Sequence, residues 1–100
     1  MLSFLIPVYK TEKYLERCVK SLAEQSLKEW EAIFVLDGES KEAVDIITRT
    51  IGKRSFQIIT IEHGGACRAR NEAAKHANGD IWAFWDSDCA IECDTAQAWV

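Results

Sequence analysis

Four short runs of nearly unbroken apolar character set the frame for what this chain can fold into. They are Ser3-Phe-Leu-Ile-Pro-Val8, Ala32-Ile-Phe-Val-Leu36, Phe56-Gln-Ile-Ile-Thr-Ile61 and Ile81-Trp-Ala-Phe-Trp85. A strand with one face in water alternates apolar and polar residues. A strand that is apolar throughout is buried on both faces, as in parallel sheets covered by helices. Pro7 has no amide to donate, so the first run should be finishing there. The segments between the runs carry helical spacing instead. Thr11 is placed to cap a helix over Glu12 to Ser26, with Tyr14, Leu15, Cys18, Val19 and Leu22 on one stripe. Ser40 can cap a second, with Val44, Ile47 and Ile51 in line and Gly52 as terminator. Gly64-Gly65 opens a third, whose small face is Ala66, Ala69, Ala73 and Ala77, and Asn78-Gly79 closes it.

Strand, helix, strand, helix, strand, helix, strand is the signature of a parallel sheet with helices on both faces. The expected fold is an α/β, Rossmann-like three-layer sandwich with a mainly parallel sheet in the spatial order 3-2-1-4. Thr95-Ala-Gln-Ala-Trp-Val100 reads as the opening of a further helix, as expected for a piece of a longer protein.

At 100 residues, 48% hydrophobic and 28% charged, the chain suits one soluble globular unit. Twelve Lys and Arg against sixteen Asp and Glu leave a net charge of -4, which argues against a nucleic-acid partner. No apolar run approaches the ~20 residues of a membrane helix. The N-terminus lacks a basic leader, so a cytoplasmic chain is expected. Cys18, Cys67, Cys89 and Cys93 include no C-x-x-C, and Cys89 and Cys93 read as two half-buried thiols in a reducing compartment. His63 and His76 read as surface residues, and Trp30, Trp82, Trp85 and Trp99 as packing residues.

In open parallel sheets the ligand sits beyond the carboxyl ends of the strands. Here those ends carry Pro7-Val8-Tyr9, Asp37-Gly38 and Asp86-Ser87-Asp88, and the third strand leads into Gly64-Gly65. Two carboxylates directly after Trp82-Ala-Phe-Trp85 have no role in core packing. Such a rim is too acidic to hold a phosphate unaided. A divalent cation shared by carboxylate and diphosphate would reconcile the charges, and oxygen ligands suit Mg²⁺ or Mn²⁺. Neither G-x-G-x-x-G nor G-x-x-x-x-G-K-[ST] occurs, which disfavours nicotinamide dinucleotides and P-loop chemistry. The Gly64-Gly65 amides, with Arg68 and Arg70 close behind, could face an anion at a helix start.

These residues resemble the inverting glycosyltransferases of the family-2 type, which have the GT-A fold. Ser3-Phe-Leu-Ile-Pro-Val-Tyr9 resembles their opening strand, and Ser21-Leu-Ala-Glu-Gln-Ser26 the end of their first helix. Val35-Leu-Asp-Gly-Glu-Ser40 is similar to their Val-Asp-Asp-Gly-Ser turn, with Leu36 in place of the first acid. His63-Gly-Gly-Ala-Cys-Arg-Ala-Arg-Asn71 resembles their Gly-Gly-x-x-x-Ala-Arg-Asn segment. Gly79-Asp-Ile-Trp-Ala-Phe-Trp-Asp-Ser-Asp88 resembles their Gly-Glu-Tyr-Ile-x-Phe-Leu-Asp-x-Asp run. The resemblance covers nearly the whole chain, in order and at compatible spacing.

It implies the N-terminal, donor-binding half of a transferase using a UDP- or GDP-sugar, with Mn²⁺ or Mg²⁺. Pro7 and Tyr9 would line the nucleoside pocket and Asp37 would bond the base edge. Gly65, Arg70 and Asn71 would shape the wall beside base and diphosphate. Asp86 would lie near ribose and metal, and Asp88 would ligate the metal. The general base is expected beyond residue 100, so these residues alone should not transfer sugar, and their uncovered face should favour self-association. Two other readings stand beside this one. A non-catalytic nucleotide-binding or interaction module could keep the same fold. A haloacid-dehalogenase-type phosphohydrolase also uses Asp-x-Asp after a strand, but there the motif ends the first strand and is followed by far more chain.

Overall fold

A computed structural model describes residues 1–27, 29–62, 64–85 and 87. The chain runs β1 (Leu2–Val8), α1 (Glu12–Ala23), β2 (Trp30–Asp37), α2 (Lys41–Thr50), β3 (Ser55–Ile61), α3 (Ala66–His76) and β4 (Ile81–Phe84). Every strand pairing is parallel, and the sheet order is β3-β2-β1-β4. The α/β class, the order and the parallel pairing are those expected from the sequence.

The two central strands are apolar on both sides because both sides are covered. Leu2, Phe4, Ile6 and Val8 of β1, with Trp30, Ala32, Phe34 and Leu36 of β2, pack against α1 and α2. Leu15, Cys18, Val19 and Leu22 are the α1 contribution, and Ala43, Ile46 and Ile47 that of α2. On the opposite face Leu5, Ile33 and Val35 meet Ala69 and Ala73 of α3. Alanines let the helix approach closely, and the result is three layers.

Pro7 is tolerated inside β1 for a directional reason. In a parallel strand alternate residues bond to opposite neighbours. Met1 and Leu5 carbonyls accept from Ile81 and Trp85, so Pro7 faces the β4 side, where β4 has already ended. No ladder bond is forfeited there.

Four local expectations are modified. β4 is not buried like the central strands: Ile81, Trp82 and Phe84 are 39%, 48% and 53% exposed, since among the described residues β4 has one neighbouring strand. Helix α1 stops at Ala23 rather than Ser26, and Arg54 donates to the Ala23 carbonyl at its end and the Gln25 carbonyl just beyond. Thr11 does not cap α1 with its side chain. Its hydroxyl bonds the Ser87 hydroxyl instead. Helix α3 ends at His76, before Asn78-Gly79. Ser40 does cap α2, accepting from the Ala43 amide at 3.1 Å, and Gly52 follows that helix at φ 70°. Among the described residues no helix is long and apolar enough to cross a membrane.

Candidate functional site

The carboxyl ends of the strands form one rim. The strand order reverses at β1: the chain steps outward to β2 and β3, then returns to place β4 on the other side. In open parallel sheets such a reversal point is the usual ligand position.

Side chains tie the four rim loops together in sheet order. Ser87, buried beyond β4, bonds Thr11 in the loop after β1. Ser40, after β2, donates to Glu12 at the start of α1 at 2.7 Å. Asp37, the last residue of β2, accepts from the Gly64 amide at 2.8 Å on one oxygen and from the Gly65 amide at 3.1 Å on the other. The glycine amides expected to face an anion are therefore directed at a carboxylate of the chain itself. A run of successive amides is a general anion cradle, and here Asp37 is an anion it holds. Gly65 adopts φ 89° and ψ 169° as the N-cap of α3, a conformation essentially restricted to glycine.

Asp37 and Gly65 are thus brought into direct contact, as parts of one wall. Pro7 is half-buried near the end of β1. Tyr9 stands just past it, largely exposed, with the Lys10 ammonium 5.2 Å from its ring centroid. Lys10 itself takes φ 54°, a left-handed turn that sends the chain from β1 into α1. Arg70 and Asn71 lie in the second turn of α3, further from the rim. They line a groove of about 470 Å³ shared with Cys67, Ala74, Trp82 and Phe84. Asp86 and Asp88 lie outside the described residues, as do His63, Cys89, Cys93 and Trp99. Among the described residues no three His, Cys, Asp or Glu side chains gather as a metal cage. Mg²⁺ is commonly held by one or two carboxylates plus substrate phosphates, so the Asp-x-Asp donor set fits a cation completed by a diphosphate.

One carboxylate was not anticipated as important. Glu31, at the opposite end of β2, is buried at 3% exposure. Burial pushes its carboxyl up, but bonds from Ser3, from the Asn78 amide and side chain, and from Gly79 outweigh this and hold it below its ordinary value. In sequence Glu31 stands just before the apolar run Ala32-Ile-Phe-Val-Leu36 and two residues after Glu29, and no local pattern marks it as buried.

Residues 3–98 match the family described as Glycosyl transferase family 2. The chain belongs to that family. EpsH of Bacillus subtilis is 36% identical over 96 residues, 95% of this chain and 28% of that protein. The poly(ribitol-phosphate) beta-N-acetylglucosaminyltransferase TarS of Staphylococcus aureus is 32% identical over 99 residues, 95% of this chain and 17% of TarS. The crystal structure of TarS 1-349 in complex with UDP-GlcNAc superposes with a TM-score of 0.90 at 30% identity, covering 98% of this chain and 29% of that one. A mannosyltransferase from Pyrobaculum calidifontis shares the fold at a TM-score of 0.80 and 20% identity, over 89% of this chain and 28% of its own. The family-2 chain described here thus spans less than a third of the length of these relatives.

Proposed function

We propose that this family-2 chain binds the nucleotide-sugar donor in an inverting glycosyl transfer, and that the donor is a UDP-sugar. The observation that carries this is the Asp37 carboxylate, set at the end of β2 beside the strand-order reversal with both oxygens on glycine amides. A carboxylate held in one orientation by two amides is an acceptor suited to the imide N–H of a uracil. TarS, alike over nearly all of this chain, was crystallised with UDP-GlcNAc.

In this reading Pro7 and the Tyr9 ring flank the nucleoside. The Gly65 loop forms the wall beside it, and Arg70 and Asn71 extend that wall along α3, the guanidinium offering charge to a phosphate. By the resemblance of their Asp-x-Asp run, Asp86 would serve ribose and metal, and Asp88 would hold Mn²⁺ or Mg²⁺. The cation, when bound, neutralises the departing diphosphate as a Lewis acid. The chain's own part is to bind and orient the donor with its anomeric carbon open to an acceptor. A positioned general base typically contributes ~10²–10⁴-fold, and none is assigned within these residues. The chain alone is therefore expected to bind donor without useful transfer.

The test is a calorimetric titration with UDP, run with Mn²⁺ and then with chelator, on the wild type and on Asp88→Asn. Asn keeps the size and one oxygen but removes the charge, so the metal's enhancement of UDP affinity should disappear while folding persists. Equal enhancement in both proteins removes Asp88 as a ligand. No UDP binding by the wild type in either condition ends the donor-site reading.

A further inference from the structure

Ser87 at the rim follows a short strand. Its four residues, Ile81 to Phe84, pair among the described strands with β1, in the register Leu2↔Ile81 to Leu5↔Phe84. A parallel strand rises ~3.3 Å per residue, so a slip of two residues would carry the rim end by ~7 Å while keeping the same faces inward. Trp82 and Phe84 are half-exposed and hold the register weakly, whereas Ala83 and Trp85 pack on the core and Ser87 bonds Thr11. A second anchor lies at the other end of the strand.

There the turn between α3 and β4 is docked on the starts of β1 and β2. Glu31 accepts from the Ser3 hydroxyl at 2.6 Å and the Asn78 amide at 2.6 Å on one oxygen, and from the Asn78 side-chain nitrogen at 3.1 Å on the other. Ser3 in turn accepts from the Gly79 amide at 2.9 Å. The Met1 carbonyl accepts from the Asp80 amide at 3.1 Å. Gly79 sits so close that a Cβ there would collide with the Met1 carbonyl oxygen and the Ser3 hydroxyl. These contacts determine which residue begins β4. A carboxylate suits the place because it is acceptor-only, and every group that meets it is a donor.

We propose that Glu31 is the positioning residue that sets the register of β4 and, through it, the placement of Ser87 at the rim. This goes beyond the donor-site reading and rests on it for the rim's task. Glu31 touches neither donor nor metal and acts from the far end of the sheet. Its partner Asn78 makes the assignment testable by exchange of chemistry. Glu31→Gln leaves only a neutral oxygen for the Ser3 hydroxyl and the Asn78 amide, and its own nitrogen finds an acceptor only when the Asn78 side chain turns its Oδ1 inward. Asn78→Asp puts a second carboxylate against the first. The double variant restores one donor and one acceptor, reversed.

The experiment compares amide hydrogen exchange and UDP affinity with Mn²⁺ in the wild type, both single variants and the double. Exchange is read at Trp85, whose amide bonds the Leu5 carbonyl, and at Phe34 in central β2 as the reference. Each single variant should speed exchange at Trp85 by about tenfold or more relative to Phe34, since a buried bond to a charged group is lost. UDP should bind about tenfold more weakly. The double variant should recover both. Should either single variant fail to fold, Ser3→Ala, which removes one bond to Glu31, takes its place.

Parallel loss at Trp85 and Phe34 would reduce Glu31 to general stability and overturn the proposal. So would a double variant no better than the singles, or Trp85 loosened with UDP affinity unchanged. A wild type that binds no UDP would instead bring down the donor reading, leaving the exchange data to decide whether Glu31 sets β4.

Discussion

At Gly79 a single methyl group decides whether the α3–β4 turn can lie on β1. The Met1 carbonyl and the Ser3 hydroxyl already occupy the space a Cβ would take, and one of the two is backbone that cannot rotate away. Gly79→Ala should therefore cost about 1–3 kcal/mol through overpacking, read as a lower urea midpoint. Unchanged stability would mean the turn lifts off the sheet freely. Gly65 presents the other kind of requirement. Nothing lies within 4 Å of a Cβ there, yet φ is +89°, so the obstacle is conformational. Gly65→Ala should lose about 1–3 kcal/mol. It should also weaken UDP binding, because the same backbone turn presents the amides to Asp37. A Gly65→Ala protein with wild-type stability and affinity would show that this turn has alternatives. In sequence the two glycines look alike; space and torsion separate them only in the folded chain.

At the scale of elements, β2 works as a bracket. On the face toward α3 it reads Glu31, Ile33, Val35, Asp37, a carboxylate at each end of an apolar centre. Asp37 holds the loop that enters α3, and Glu31 holds the loop that leaves it. The Glu31 end should be sensitive to acid. Its carboxyl titrates below the ordinary 4.5 in the folded chain, so unfolding takes up a proton in that window. The stabilisation is fully present above 4.5 and is lost as pH falls from there through the lowered folded value. Melting temperatures of wild type and Glu31→Gln, followed from about pH 7 to about pH 3, should converge on acidification. Asp80, lowered chiefly by its bond to the N-terminal ammonium, is common to both proteins and drops out of the difference. A gap that stays constant to the lowest pH would show that Glu31 stabilises the fold by packing rather than by charge.

For the whole molecule, the sheet has a dominant exposed edge. Ile81, Trp82 and Phe84 present apolar surface along β4, where no other described strand follows. Exposed apolar edge strands pair with one another unless charge or coverage prevents it. The 100-residue chain should accordingly self-associate as concentration rises. Phe84→Lys, which sets a charge on that edge, should shift sedimentation velocity toward monomer. A wild type that remains monomeric at high concentration would show the edge to be protected. Arg54 has the opposite, consolidating effect. It lies 5.2 Å over the Trp30 ring while bonding the carbonyls beyond α1, so the first helix, β2 and the turn before β3 meet at one guanidinium.

The sequence by itself determined the alternation of strands and helices, the parallel sheet and its order, the Ser40 cap and the Gly52 stop. All of these depend on neighbours in the chain or on how many faces a segment must bury, and both are written in local composition. It also marked the strand ends as the place for chemistry. Only the tertiary structure decided the partners: Asp37 with Gly64 and Gly65, Glu12 with Ser40, Glu31 with Asn78, Thr11 with Ser87. These pairs stand 27 to 76 residues apart. Ser, Thr, Asn, Asp and Glu each accept or donate to many groups, so no spacing announces which will meet. Likewise β1 and β4 are equally apolar as text, and their burial differs because, among the described residues, β1 lies between two strands with helices over both faces and β4 beside one strand.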